Sequence, residues 1–101
     1  MATTSKTLFR GAATTTVGTT LYTVPASTTT VVTSIVITNT TGTAGTFTLG
    51  LAGTNLATTV SVGGFDSTVL DLKQVLVATN TITGGASATT INFHIAGVEI
   101  V

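Results

Sequence analysis

With 101 residues, the chain suits one domain with a modest core, and its 6% charged residues and zero net charge depart from an ordinary solvated surface. Hydrophobic residues make up 43% and roughly a quarter of the chain is threonine, which excludes a disordered polar segment and favours strands. The absence of cysteine excludes disulfides and thiolate metal sites, and three scattered cations, Lys6, Arg10 and Lys73, cannot form a nucleic-acid footprint. No apolar run approaches the roughly 18 residues of a membrane helix.

Taken in order, residues 1–18 read as a flexible N-terminal arm carrying a short edge strand over Thr7–Arg10, and residues 19–101 as a β-sandwich domain. MATTSKTLFRG lacks the apolar core of a signal peptide, so synthesis in a cytoplasm is expected. The stretch from Leu21 to Asn39 places two runs rich in β-branched residues around the only proline, Pro25. It predicts a strand over Thr19–Val24, a turn at Pro25–Ser27 and a long central strand over Thr30–Asn39. Simple alternation puts Val31, Ile35 and Ile37 on one face of that strand and Val32 and Val36 on the other. Phe47, Leu49 and Leu51 then alternate cleanly, and the intervening TTGTAG predicts an antiparallel hairpin with the long strand.

Beyond the turn at Gly53–Asn55, Leu56, Thr58, Val60 and Val62 share a face. The run from Thr68 to Val77 changes phase near Lys73–Gln74, which predicts a turn or bulge. A short strand around Ile82 is expected to end at Gly84–Gly85. The last run sets Ile91, Phe93 and Ile95 against Thr90, Asn92 and His94, with a bulge at Ala96–Gly97 and Glu99 outward. About eight short antiparallel strands separated by glycine-rich turns predict an all-β single sandwich, with a jelly roll as the preferred topology.

No constellation for chemistry emerges. His94 is the only imidazole and reads as an ordinary strand residue; Asp66 reads as a turn former, and Asp66 with Asp71 lacks any sign of a sugar cleft between them. One histidine and three scattered acids lack metal-ligand spacing, and Gly63–Gly64 and Gly84–Gly85 lack a phosphate-loop context. The Asn39-Thr40-Thr41 triplet fits a glycosylation acceptor but is expected by chance in so threonine-rich a chain. The prediction is a protein that is not an enzyme, with no catalytic, cofactor or metal residues. Near-zero charge offers little repulsion against association, so a structural subunit packed against copies of itself or a larger assembly is expected. Shallow glycan or receptor binding, and ice binding by T-x-T arrays, fit less well, because aromatic platforms and a constant repeat are both missing.

Leu21-Tyr22-Thr23-Val24-Pro25-Ala26 followed by Thr30–Asn39 resembles a pattern in small virion proteins of tailed bacteriophages. The same holds for Leu70-Asp71-Leu72, Val75-Leu76, Asn80-Thr81-Ile82 and the run from Ile91 to Ile100. The resemblance implies a multimeric jelly-roll sandwich on the outer surface of the virion, with no catalytic residues to transfer. The short chain favours a head decoration (cement) protein, a homotrimer bridging major capsid proteins or other virion proteins, without nucleic-acid or membrane partners. A fibre or tail-tip module that binds a host receptor or glycan is the alternative.

Overall fold

The computed structural model describes residues 2–101. Eight strands follow one another: β1 (Thr3–Ala12), β2 (Thr20–Thr23), β3 (Thr29–Asn39), β4 (Gly45–Leu51), β5 (Thr54–Val62), β6 (Ser67–Leu76), β7 (Thr81–Ala86) and β8 (Ile91–Ile100). They form two four-stranded antiparallel sheets, ordered β1-β8-β3-β6 and β2-β7-β4-β5. Every connection except β4–β5 crosses from one sheet to the other, the jelly-roll order. The predicted all-β sandwich is therefore the observed fold.

Between the sheets lie Val32, Ile35, Ile37, Phe47, Leu49, Ile82, Ile91, Phe93 and Ile95, all buried. Phe47 and Phe93 meet edge to face across the gap, with ring centroids 6.4 Å apart. The predicted inward face of β8 and the Phe47–Leu51 face of β4 are as expected.

The β3–β4 hairpin is not formed, because the two strands belong to different sheets. Alternation assigns residues to a face but does not say whether two apolar faces lie side by side or stack. Stacking buries both faces at once. Asn39 makes the crossing: its side-chain amide donates to the carbonyls of Thr43 and Val62, and its Oδ1 accepts from Thr41 N–H.

The expected N-terminal arm is also corrected, apart from Met1, which lies outside the described residues. Thr3–Ala12 pairs along β8, the ladder continues to Ala2 and Val101, and Leu8 and Ala13 enter the core. Threonine-rich sequence without alternation hid this strand, because an edge strand with one bulge buries few side chains. Residues 14–19 then lie along β7, whose Gly84 and Ala86 amides donate to the carbonyls of Thr19 and Thr14. Gly84–Gly85 accordingly lies within β7 and does not end it. A Cβ on Gly85 would stand 2.4 Å from the Thr16 carbonyl oxygen, so glycine is what lets this segment close over the strand.

The bulge expected in β8 at Ala96–Gly97 lies in its neighbours instead. β1 carries an extra residue at Leu8 and β3 one at Thr33, both opposite an unbroken β8, and β6 sets Leu72 and Lys73 against Thr33. Gly97 permits this, since a Cβ there would meet Val31 O at 2.4 Å and Leu8 Cδ1 at 2.9 Å. The Thr33 bulge reverses the phase of β3, so Val32 joins Ile35 and Ile37 in the core while Val31 and Val36 face outward. β5 is irregular in two places against β4, which leaves Leu56 and Val60 exposed and turns Ala57 toward the core.

Candidate functional site

Two features stand out from the packed sandwich: the outer face of the β1-β8-β3-β6 sheet and a polar cluster closing one end of the core. On the outer face, strand register aligns side chains into rows. One row runs Val75–Val31–Val98–Ser5, a second Asp71–Ser34–Ala96–Thr7, and a third Val69–Val36–His94–Arg10. Val69 and Val75, both on β6, are 59% and 63% exposed. In the first and third rows the apolar side chains lie toward the β6 edge and the polar ones toward β1, while Asp71 puts a charge at the β6 end of the second. Where the bulges cross the face, Thr33, Asp71, Leu72 and Lys73 line a shallow open hollow.

The sequence pattern points Glu99 outward and so does not anticipate the polar cluster. The extra residues lie in β1 and β3, so β8 keeps its alternation through Gly97, and Glu99 faces between the sheets. There the Tyr22 hydroxyl, from the opposite sheet, donates to Glu99 Oε2, and Lys6 Nζ donates to both Glu99 oxygens at 3.3 Å. Tyr22 has a single proton to give, so the Thr30 hydroxyl, 3.0 Å away, donates to the phenol oxygen. The Tyr22 hydrogen bond, with help from Lys6, holds the Glu99 carboxyl below its ordinary range despite partial burial. Burial, and then the hydrogen bond to Glu99, pushes the Tyr22 phenol up. The cluster joins β2 of one sheet to β1, β3 and β8 of the other, which is a structural task.

The residues singled out from sequence are not brought together. His94 is half-buried on the outer face between Arg10 and Val36 in register. Asp66 caps the start of β6, where its Oδ1 accepts from Ser67 N–H at 2.8 Å. Asp71 lies five residues further along, about 16 Å away by strand rise, and faces no second carboxylate. Asn39 of the glycosylation triplet is 1% exposed and spent on the crossing described above, so it offers no acceptor. Of the T-x-T stretches, Thr46–Thr48 presents no exposed pair, since Thr48 is buried. Among the described residues no group of three histidines or acids is placed to hold a metal ion.

Neither protein-family models nor curated proteins match this chain.

Proposed function

We propose that this protein is a structural component of a tailed-bacteriophage particle, a head decoration (cement) protein that bridges neighbouring capsid subunits. The observation that carries the reading is the outer sheet face, where exposed Val69 and Val75 stand in register with half-buried Val31, Val36 and Val98 on a chain with only 6% charged residues. Such a face on a small domain suits an existence packed against protein neighbours. The resemblance of Leu21–Asn39 and of the β8 segment to small virion proteins supports the same reading.

In this role each subunit, as one of three around a local threefold axis, adds buried interface to the shell and opposes genome pressure by many small contacts. No side chain is asked to perform a reaction. The jelly roll suits the task, since ladders in two sheets resist extension and the face that meets the shell is preformed. Thr3–Ala12 is held as the β1 edge strand, so contact with the shell falls to the outer face and loops.

The test is to strip the protein from purified particles. Stripped particles are expected to keep their geometry but lose heat and osmotic resistance, and to regain it when the protein is added back. Stripped particles that stay equally stable but no longer adsorb to host cells would replace this reading with a receptor-binding fibre or tail-tip module.

A further inference from the structure

We propose that two copies of this chain pair through their β6 edges, antiparallel, about a twofold axis at Leu72. The β1-β8-β3-β6 sheet ends on β6, a strand of 10 residues without proline whose outer side has no hydrogen-bonding partner strand. Such an edge is a template for another strand. The sequence of this edge is self-complementary. With Leu72 on the axis, Asp71 falls opposite Lys73 of the second copy and Val69 opposite Val75, and symmetry repeats each contact. Val69, Asp71, Lys73 and Val75 are all exposed, and neither Asp71 nor Lys73 takes part in the one ion pair found among the described residues, Lys6–Glu99.

The other edges do not offer this. β1 carries Lys6 and Arg10 and no acid, so no twofold register along it sets opposite charges together. β2 has four residues and no charge, and β5 is uncharged and twice irregular against β4. A lysine on an edge ordinarily guards against pairing. On β6 that guard is selective: an axis at residue 71 or 73 would set like charges together, whereas the axis at Leu72 sets unlike ones.

The bulge at Leu72–Lys73 then falls on the axis, and the ladders lie either side of it, residues 68–70 of one copy against 74–76 of the other. Pairing also joins the outer-face rows. Val98, Val31 and Val75 of one copy run directly into Val69 and Val36 of the second, an apolar stripe across an eight-stranded sheet. The contact rests on register and charge alone, and it is compatible with a threefold arrangement on a particle, whose trimers it would link.

The natural absence of cysteine allows a clean test on the purified protein, separate from any particle. Val69→Cys and Val75→Cys variants, mixed under oxidising conditions, are expected to form a disulfide-linked heterodimer, since directly opposed strand residues lie within disulfide reach. Each variant alone is expected to stay uncrosslinked, because its two cysteines would lie about 20 Å apart along the strand. By sedimentation, Asp71→Lys or Lys73→Asp is expected to weaken self-association about tenfold or more, and the double exchange D71K/K73D to restore it. Circular dichroism checks that each variant keeps its strands. Equal crosslinking of the single variants and the mixture, or association unaffected by either charge reversal, would overturn the proposal.

Discussion

Both faces of the β1-β8-β3-β6 sheet carry β-branched apolar side chains, yet they differ in what covers them. Inside, Val32, Ile35, Ile37, Ile91, Phe93 and Ile95 are sealed by the second sheet. Outside, Val31, Val36, Val69, Val75 and Val98 stand in register with no second layer from the chain itself. β-Branched residues favour a strand on either face, so strand propensity does not distinguish a face covered by the protein's own chain from one left for a neighbour. Stability belongs to the first face and, on the proposed reading, assembly to the second.

Mutations separate the two most sharply at the core. Phe93→Ala removes a side chain that is 0% exposed and packed edge to face on Phe47, and is expected to cost about 3–5 kcal/mol in denaturant unfolding. Gly97→Ala, also on the inner face, drives a Cβ toward the Val31 carbonyl at 2.4 Å and is expected to cost about 1–3 kcal/mol by the same measurement.

The polar end of the core comes next. Tyr22→Phe leaves a partly buried carboxylate short of a donor, and a loss of about 1–2 kcal/mol is expected. The carboxyl of Glu99 is held below its ordinary range in the folded protein, so its contribution is full above the unfolded value of about 4.3 and fades as pH falls through the lowered folded value. The stability difference between the native protein and Glu99→Gln, followed by thermal unfolding from pH 7 downward, is therefore expected to shrink below about pH 4. A difference that stays constant with pH would assign the effect to packing.

The smallest effect on stability is expected outside. Val36→Thr and Val98→Thr should change unfolding by less than about 0.5 kcal/mol while reducing binding to stripped particles. A cost comparable to that of Phe93→Ala would erase the distinction between the faces.

The fold class, the core of β8 and the clean alternation of β4 were legible in the sequence because period-two patterning reports burial directly. What was hidden depended on neighbours. A bulge in β8 was expected from Gly97, but the extra residues lie in β1 and β3, and that displacement turned Val32 inward, Val31 outward and Glu99 into the core end. The β3–β4 hairpin failed for the same reason, since side-by-side and stacked strands share one pattern. The outer valines were visible as residues on both faces of β3 and β6. Their alignment into rows required the register, and so did the Lys6–Tyr22–Glu99 cluster, whose members lie far apart in sequence.

The number of copies on a particle separates a head decoration protein from a fibre or tail-tip module. Quantitative mass spectrometry of purified virions, scaled to the major capsid protein, is expected to find hundreds of copies per particle, as a protein whose bare face is covered by the shell requires. A handful of copies, or none, would contradict the head-decoration reading.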